Sequence, residues 1–528
     1  MSRHVFVGDA EAEEPLLANA HLETNVDSDD GEVIFDRTVS TKVECVKKKY
    51  TFEEAVDEAG FGLFHWLLLV VCGWANASDA VEIMCVSFLL PTARCDLRLS
   101  SSDMGILTAS IFLGMMVGGY MWGYLADQRG RCRVLVVSLS VNGVFGGLAS
   151  VAPGFWLFLL LRFISGIGVG GSIPVIFSYF SEFLPRLRRG AMISALATFW
   201  MAGNILAAGL AWWVIPQNWA HFESWRLFVV LCSVPSLSSA LLFKIMMPES
   251  PKFLMEAGEE KEAACVFQLM FKLNTWGKGK KKQFALCVTT INDNSSTPLQ
   301  KEQLIDIYKK ALSPIREMFK GVLRTRSTAL LIVFYCISFG FYGLWMWFPE
   351  LFKRVEDGGS PCANVSRSYS LQNESCYPVK TAIYMEGFFI AASNLPGNIF
   401  TILMMDSIGG KALLSGSLML SSLSVFLIFV VQTKAHSLLL SCVFSGVSVI
   451  SWNALDVMGT ELYPTHLRSS ALGFFTGVGR VAAIMGNVVF GRLLDSHCAV
   501  PVLLVSGLLL TGGLIALLLP QTKQTELT

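Results

Sequence analysis

The chain has 528 residues, of which 53% are hydrophobic and 16% are charged, and its formal net charge at pH 7 is +0. Soluble proteins carry about 25% charged residues. The composition therefore excludes an ordinary soluble domain, and the balanced charge does not support a nucleic-acid partner. Repeated apolar runs of about 20 residues predict an all-α polytopic protein embedded in the lipid bilayer.

The 13 cysteines show none of the CxxC or Cys/His spacings that are typical of metal sites. The sequence also shows no Ser/His/Asp arrangement of the kind that hydrolases use. We therefore expect no metal, no cofactor and no enzymatic activity.

Residues 1–58 are polar and are predicted to form a cytosolic tail without a stable fold of its own. The tail is acidic and lacks the apolar core of a cleavable signal peptide, so we expect the first span to direct membrane insertion. Near the end of this tail, Thr51 and Glu54 fit a capping box, which predicts the start of a short amphipathic helix.

Two leucines in the tail, Leu16 and Leu17, follow Glu13 and Glu14. This arrangement resembles an acidic dileucine signal that a sorting adaptor binds, but Ala12 stands where an acidic residue is usual. An ordinary polar tail without a signal is the alternative.

Twelve membrane-spanning helices are predicted from the apolar runs, each about the 20 residues that a bilayer requires. They are placed at residues 62–90, 104–125, 134–152, 156–177, 191–214, 226–246, 328–349, 383–404, 412–432, 437–458, 469–491 and 499–519.

These spans divide the chain into a first six-helix bundle (59–249) and a second six-helix bundle (328–519). Between them, residues 250–327 are interpreted as a solvated cytosolic linker. The outer loop near 351–381 and a cytosolic tail at 520–528 complete the predicted organisation.

Basic residues cluster in alternate loops, which predicts that those loops and both termini are cytosolic. The clusters comprise Arg129, Arg131 and Arg133, then Arg186, Arg188 and Arg189, and in the linker Lys278 and Lys280 to Lys282. The loops predicted to be outside also contain basic residues, namely Arg94, Arg98, Lys353 and Arg354.

An internal repeat relates the two bundles. Asp127 and Asp406 lie in similar loops, and so do Glu182 and Glu461; both pairs are 279 residues apart (406 − 127 and 461 − 182). Two six-span halves in parallel repeat predict a transporter with a central cavity between the bundles.

Several motifs carry a family resemblance. The loop at 123–131, the stretch at 162–168 and the Pro-Glu-Ser-Pro sequence at 248–251 resemble the sugar and organic-ion branch of the major facilitator superfamily. The segments 78–82, 177–184, 341–344, 395–398 and 452–457 resemble the synaptic vesicle glycoprotein 2 family, including its synaptic vesicle 2-related proteins with a short luminal loop.

This resemblance implies twelve helices in the major facilitator fold and a vesicle membrane as the location. The outer loop of this chain is much shorter than the luminal domain of synaptic vesicle glycoprotein 2, so properties that depend on that domain are not transferred.

Asp79 and Glu82 are the strongest candidates for function because they are acidic residues within the first apolar segment. Ionisable residues in a span are costly and are rare without a partner or a function. Their spacing of three residues places them on one face of a helix. We predict that they couple transport to protons, and the alternative is a structural ion pair with Arg480 or Arg162.

Five further residues are predicted to line the central cavity. Arg480 and Arg162 are cations within spans, and each has a structural ion pair as its alternative. Trp200 and Trp452 are added on the resemblance, which implies that these tryptophans line a ligand cavity, and Asp456 lies one helical turn after Trp452. An indole offers an apolar face and one hydrogen-bond donor, but tryptophan in a span more often serves packing.

The resemblance also implies a cytosolic gate that latches the bundles together. Its first-half members are Asp127, Arg131, Glu182 and Arg189, and its second-half members are Asp406, Glu461 and Arg468. Because Gly410 replaces the usual arginine, the second-half copy is predicted to be weaker.

The outer loop contains two glycosylation sequons, at Asn364 and Asn373, flanked by Cys362 and Cys376. We expect both sequons to be modified and the two cysteines to pair, although Cys95 and Cys498 leave other pairings open. The sequons at Asn76 and Asn294 are expected to stay unmodified, because they lie in a span and in the cytosolic linker.

Together these features predict a secondary active transporter of a small organic solute, working by alternating access and coupled to protons, in a vesicle or plasma membrane. The alternative is a transporter-shaped vesicle protein that binds and organises other vesicle components.

Overall fold

The structure is a computed structural model that describes residues 52–217, 223–276, 313, 315–321, 323–358, 380–431, 433–463, 465–497 and 499–520. The dileucine pair Leu16 and Leu17, the sequons Asn364 and Asn373, and the cysteines Cys362 and Cys376 lie outside these residues. The side chains of Asp406, Glu461 and Arg468 also lie outside the described part.

Sixteen α-helices are described. They are α1 (Phe52–Ala59), α2 (Leu63–Asp96), α3 (Ser101–Arg129), α4 (Arg131–Leu148), α5 (Phe155–Ser181), α6 (Arg186–Val214), α7 (Ser224–Met246), α8 (Pro251–Glu256), α9 (Glu260–Asn274), α10 (Leu323–Trp345), α11 (Phe348–Gly358), α12 (Thr381–Ile408), α13 (Gly410–Val430), α14 (Lys434–Glu461), α15 (Thr465–Leu493) and α16 (Ala499–Ala516).

Twelve of these helices are long and apolar enough to cross a membrane. They are α2 to α7, α10 and α12 to α16, so the predicted all-α fold with twelve spans is confirmed. Several helices run past the predicted edges, and α2 continues to Asp96.

Helices α1, α8 and α9 lie together at one end of the first half, which we call the α1 end. Asn274 joins them to the first span: its side chain accepts a hydrogen bond from the backbone N–H of Phe64 (3.1 Å) and donates to the carbonyl oxygens of Ala59 (3.1 Å) and Gly60 (2.7 Å). The prediction that 250–327 is a solvated linker is therefore wrong for residues 251–274. Its α9 buries an apolar face that includes Phe267 and Met270.

The internal repeat is visible in the backbone. Helix α3 ends at Gly130, with φ 99° and ψ 148°, and α12 ends at Gly409, with φ 90° and ψ 146°. The two glycines are 279 residues apart (409 − 130), the same spacing as the acidic pairs. A positive φ is readily adopted only by glycine, so both loops depend on this residue type.

Helix pairing follows the same repeat. Helix α3 packs on α5 in the first half, as α12 packs on α14 in the second. Between the halves, α3 packs on α15 and α6 packs on α12. A two-fold exchange of the halves turns one of these inter-half pairs into the other, which is the arrangement that a parallel repeat produces.

The halves approach closely where α3 crosses α15. A Cβ atom added to Gly105 would lie 2.7 Å from the carbonyl oxygen of Asn487 and 2.8 Å from the Cα atom of Gly491. Small residues at a helix crossing let two backbones meet in this way. The α3–α15 crossing is therefore a contact of backbone on backbone.

Candidate functional site

Asp79 lies in the interior of the first half, on α2, and its side chain is fully buried. The Ser172 hydroxyl of α5 donates a hydrogen bond to Asp79 Oδ2 (2.6 Å), and the Asn142 amide of α4 donates to Oδ1 (3.2 Å). Neutral donors from two neighbouring helices therefore satisfy this carboxyl group.

Glu82 lies one helical turn further along α2, and only 1% of its surface is exposed. It forms a salt bridge with Arg162 of α5, which is fully buried, and the Ser165 hydroxyl lies 2.7 Å from Glu82 Oε1. The Arg162 guanidinium also lies over the Phe158 ring, 5.2 Å from its centroid. Glu82 is thus the acid of a buried ion pair.

One continuous network joins the two acids. Ser165 Oγ lies within hydrogen-bonding distance of both Glu82 Oε1 and Asn142 Oδ1 (3.0 Å), and the Asn142 amide in turn contacts Asp79. A hydroxyl has a single proton to donate, so Ser165 donates to Glu82 or to Asn142 but not to both at once. We call Asp79, Asn142, Ser165, Glu82 and Arg162 the acid network.

A second candidate site lies in the other half, where α10, α14 and α15 surround a cavity of about 170 Å³. Its lining residues are Phe334, Ser338, Tyr342, Trp452, Asp456, Thr476, Gly479 and Arg480. We call this space the aromatic cavity.

Aromatic rings and opposite charges meet in this cavity. The Arg480 guanidinium lies over the Tyr342 ring, 5.8 Å from its centroid, and the centroids of the Tyr342 and Trp452 rings are 5.9 Å apart. The indole N–H of Trp452 and the hydroxyl of Ser338 have no hydrogen-bond partner in the described structure. The aromatic cavity therefore presents polar groups that a ligand can satisfy.

The structure separates residues that the sequence predicts together. Asp79 and Glu82 do not face a cavity shared with Arg480, because their partners draw them into the interior of the first half. Arg162 does not line the aromatic cavity either, since it pairs with Glu82. Trp200 belongs to α6 of the first half and packs against the hydrophobic core. Of the predicted cavity residues, Trp452, Asp456 and Arg480 line the aromatic cavity.

At the α1 end, Arg131 is the centre of the predicted gate. Its guanidinium lies 3.0 Å from Glu182 and 3.4 Å from Asp127, and Glu182 also accepts a hydrogen bond from the Ser250 hydroxyl. Burial raises the pKa of Glu182, while the hydrogen bond from Ser250 and the charge of Arg131 act in the opposite direction.

Arg189 takes another partner, because it lies 3.4 Å from Glu53 of α1, which also pairs with Arg186 (3.3 Å). Within the described residues, the salt bridges of Asp127, Arg131, Glu182 and Arg189 all stay inside the first half. In this conformation these four residues do not join the two halves, and a latch that they form in another state of the transport cycle stays a prediction.

The opposite end of the molecule, which we call the Arg94 end, carries a polar connection between the halves. Arg94 of α2 forms a salt bridge with Glu350 of α11 (3.0 Å). Arg354 of α11 contacts Glu350 (3.2 Å), Asp495 (2.7 Å) and the Ser101 hydroxyl of α3 (3.2 Å). We call Arg94, Ser101, Glu350, Arg354 and Asp495 the seal.

Other contacts reinforce the seal. Lys353 donates to the Pro91 carbonyl (3.1 Å), the Thr92 and Tyr384 hydroxyls are 2.5 Å apart, and Ser87 donates to the Met346 carbonyl (2.9 Å). Nearby on α2, Cys95 is disulfide-bonded.

Sequence reasoning missed several residues of these sites. Asn142, Ser165 and Ser172 are small polar residues that give no signal in an apolar helix. Glu350 and Asp495 were missed as well, although a signal existed. Arg94 and Arg354 break the distribution of basic residues expected from the positive-inside rule, and the structure shows that both are paired with acids.

Two related six-helix halves, an acid network in one and a charged aromatic cavity in the other, define the class of two-bundle membrane transporters. Residues 72–486 match the model of the Major Facilitator Superfamily. Among solved structures, the chain is similar to the partially occluded inward-open form of the xylose transporter XylE from E. coli. The TM-score is 0.66 at 17% identity, covering 88% of this chain and 100% of the transporter.

Curated relatives narrow the family. The chain is 33% identical to synaptic vesicle glycoprotein 2B of Homo sapiens over 90% of this chain and 86% of that protein. It is 32% identical to synaptic vesicle glycoprotein 2A of Rattus norvegicus over 89% of this chain and 79% of that protein. The chain belongs to the Major Facilitator Superfamily and, within it, to the synaptic vesicle glycoprotein 2 family.

The alignment with the human relative spans 596 positions, more than the 528 residues of this chain, so that relative carries segments that this chain lacks.

Proposed function

We propose that the protein is a secondary active transporter that moves a small organic solute by alternating access and couples the movement to protons. One observation carries the proposal: a fully buried acid network lies in one half, and a cavity with unpartnered polar groups lies in the other. The solute binds in the aromatic cavity, and the proton binds in the acid network.

The Glu82–Arg162 pair suits a proton site. Protonating Glu82 removes the negative charge that holds the buried Arg162 guanidinium, and an unpaired buried charge costs about 3–5 kcal/mol. A protonated network therefore favours a conformation in which Arg162 finds another partner or water. This difference in stability between two conformations is what proton coupling requires.

The proposed location is a vesicle membrane, in keeping with the names of the curated relatives, and the plasma membrane is the alternative. The distribution of basic residues supports placing the α1 end and both termini in the cytosol. In that orientation the seal faces the vesicle lumen. The boundaries proposed for the two halves are 59–249 and 328–519.

Reconstitution of the purified full chain into liposomes tests this function. A pH-sensitive dye trapped inside reports proton movement while xylose, organic amines, organic anions and zwitterions are added in turn. We expect one class of solute to move protons in the wild type and in Glu262→Gln, which removes an exposed charge on α9. The same solute should move no protons with Glu82→Gln.

Solute binding without uptake of any solute would contradict the transport proposal. It would favour the alternative of a transporter-shaped protein that organises vesicle components.

A further inference from the structure

We propose that the solute of the aromatic cavity is a zwitterion, with a carboxylate and an ammonium group at opposite ends of a flat apolar spacer. The inference rests on the proposed function, because it names the class of solute that this cavity takes. It is drawn from the charges and rings of the cavity wall.

Two opposite charges line the cavity without neutralising each other. Within the residues that the structure describes, neither Asp456 nor Arg480 forms a salt bridge with the other or with any third group. Asp456 is exposed and Arg480 is half-buried, so a bound solute that displaces water from them has to supply new partners, because burying a charge without one is costly. A bound solute that carries one group of each sign supplies both missing partners.

Ring contacts connect the two charges along the cavity wall. Arg480 lies on the Tyr342 ring, and Tyr342 contacts the Trp452 ring. Asp456 follows Trp452 by four residues along α14, a rise of about 6 Å. A solute that reaches both charges therefore passes along Tyr342 and Trp452, where a flat apolar spacer packs well against aromatic faces.

The unpartnered donors set the direction of binding. Ser338 is fully buried and its hydroxyl lacks a partner, as does the indole N–H of Trp452. The indole N–H only donates, the Ser338 hydroxyl can donate as well as accept, and the planar Arg480 guanidinium matches a carboxylate with two parallel hydrogen bonds. The carboxylate of the solute therefore binds near Arg480, and its ammonium group binds near Asp456.

Other solute classes leave part of the wall unsatisfied. An organic anion leaves Asp456 without a partner, an organic cation leaves Arg480 without one, and a neutral sugar offers both charges only uncharged hydroxyl groups. The cavity of about 170 Å³ is smaller than the range of about 300–1,000 Å³ that is common for drug-sized ligands. This size favours a solute with one ring or a short chain.

Three probes that share one ring test the inference by equilibrium binding to the purified full chain, for example by isothermal titration calorimetry. They are 4-(aminomethyl)benzoate, which is a zwitterion, 4-methylbenzoate, which is an anion, and 4-methylbenzylamine, which is a cation. Since a hydrogen bond to a charged group is worth about tenfold in affinity or more, we expect the zwitterion to bind about tenfold more tightly than either ion.

Two variants assign the charges. Asp456→Asn should weaken binding of the zwitterion about tenfold and leave binding of 4-methylbenzoate unchanged. Arg480→Gln should weaken the zwitterion similarly and leave 4-methylbenzylamine unchanged. This opposite selectivity would not result from a general loss of folding. Glu262→Gln and Lys244→Gln, which remove exposed charges far along the chain from the cavity helices, should bind all three probes as the wild type does.

Equal affinity for the zwitterion and either ion, tighter binding of xylose, or no binding of any ring compound would overturn the inference. Binding of the zwitterion without uptake into liposomes would instead contradict the proposed transport and leave the solute class standing.

Discussion

Glu82 and Asp79 are only three residues apart, but their surroundings give them different roles. Glu82 pairs with a cation, whereas Asp79 accepts hydrogen bonds from a hydroxyl and an amide. Removing the charge of Asp79 leaves only neutral groups around it. Removing the charge of Glu82 leaves Arg162 buried and unpaired.

This difference predicts unequal effects of the two neutral substitutions. Glu82→Gln should lower the free energy of unfolding by about 3–5 kcal/mol and abolish gradient-driven uptake. Asp79→Asn should cost less, about 1–3 kcal/mol, because an asparagine oxygen still accepts the hydrogen bond from Ser172 while its amide nitrogen faces the Asn142 donor. Thermal unfolding of the purified variants and uptake into liposomes measure both effects, and equal stability losses would contradict the assignment.

Adding Arg162→Gln to Glu82→Gln provides a control, since it removes the unpaired cation and should recover part of the lost stability.

Gly146 of α4 gives a steric test of the same carboxylate. A Cβ atom at this position would lie 2.9 Å from Glu82 Oε1. Gly146→Ala should therefore displace the carboxylate, lower the melting temperature and slow uptake. In the matched control Gly119→Ala, the added methyl group has ordinary contact distance, with its nearest atom the Gly170 carbonyl oxygen at 3.5 Å. If Gly146→Ala has the same melting temperature as the wild type, the Glu82 carboxylate is free to move and the prediction is wrong.

The sequence identifies the acids but not their partners. A carboxylate in an apolar helix is conspicuous because its insertion is costly. Which cation it meets depends on how α2 and α5 pack, and Arg162 and Arg480 were equally open alternatives. Asn142 and Ser172 meet Asp79 only because of how α4 and α5 pack on α2. Nothing in their local sequence indicates this role.

At the scale of elements, helix α11 contributes Glu350 and Arg354, which make the contacts that hold the seal together. This helix lies between two spans of the second half, and its Arg354 contacts Asp495 of the same half and Ser101 of the other half. Lys353 and Glu350 of the same helix contact α2. Alternating access requires these contacts to break together.

Arg354→Gln should therefore open the Arg94 end. Ser87→Cys is introduced into all three proteins as the reporter, because Ser87 is buried below the seal and any effect of losing its bond to the Met346 carbonyl is then the same in each. We expect a membrane-impermeant thiol reagent to label this cysteine rapidly in the Arg354→Gln background and slowly without it. Arg98→Gln removes an exposed positive charge at the same end and should not change the labelling rate. Equal rates in all three proteins would show that Arg354 does not hold the seal.

The seal should also withstand acid. Burial alone would raise the pKa of Asp495, but the hydrogen bonds from Ser101 and Arg354 and the charges of Arg354 and Arg94 outweigh it and hold the pKa below its ordinary value. A carboxyl group with a lowered pKa stabilises the folded state above the ordinary value of about 3.9, and this contribution is lost only as the pH falls below it.

The melting temperature of the wild type should therefore exceed that of Asp495→Asn by a constant margin from about pH 7.5 to about pH 5, and the margin should shrink only near pH 3.9. A margin that disappears between about pH 6 and pH 5 would contradict the lowered pKa.

The amphipathic helix α9 shows which information a local sequence pattern lacks. Its surroundings are strongly charged, so the pattern of the segment 250–327 predicts a linker throughout. The structure shows that α9 docks through Asn274 and an apolar face. Such a contact depends on the neighbouring α1 and on the start of α2, which no local pattern reveals.

At the scale of the whole molecule, the repeat is the feature that the sequence predicts best. The spacing of 279 residues that relates the acidic pairs also relates Gly130 and Gly409, whose backbone angles agree closely. The conformation of the molecule was not predictable in the same way. A conformation closed at the α1 end and one closed at the Arg94 end contain the same spans and the same repeat. The sequence pattern therefore does not indicate which end is closed.

Glycosylation tests the orientation of the whole molecule. Asn364 and Asn373 should be modified, because the orientation proposed from the basic residues puts their loop in the lumen. Asn76 should stay unmodified, since it is buried in α2 with its amide bonded to the Leu196 carbonyl. Peptide-N-glycosidase should shift the mobility of the wild type but not that of Asn364→Gln/Asn373→Gln.

A mobility shift that persists in this double variant and disappears with Asn294→Gln would invert the proposed topology.

The separation of the acid network from the aromatic cavity has a consequence for energy conversion. The proposed sites for the proton and the solute lie in different halves and share no side chain, so under the proposed function the proton and the solute do not contact each other. A fixed ratio of protons to solute then depends on the conformational change alone. It requires that only certain occupied forms of the protein switch from facing one side of the membrane to facing the other. Uncoupled movement of protons should therefore arise from substitutions at the α3–α15 crossing, where Gly105 meets Gly491. Such substitutions leave the affinities for the proton and the solute unchanged. A variant of this kind would dissipate the proton gradient and still bind the solute. Coupling and binding would then be separate properties of the protein.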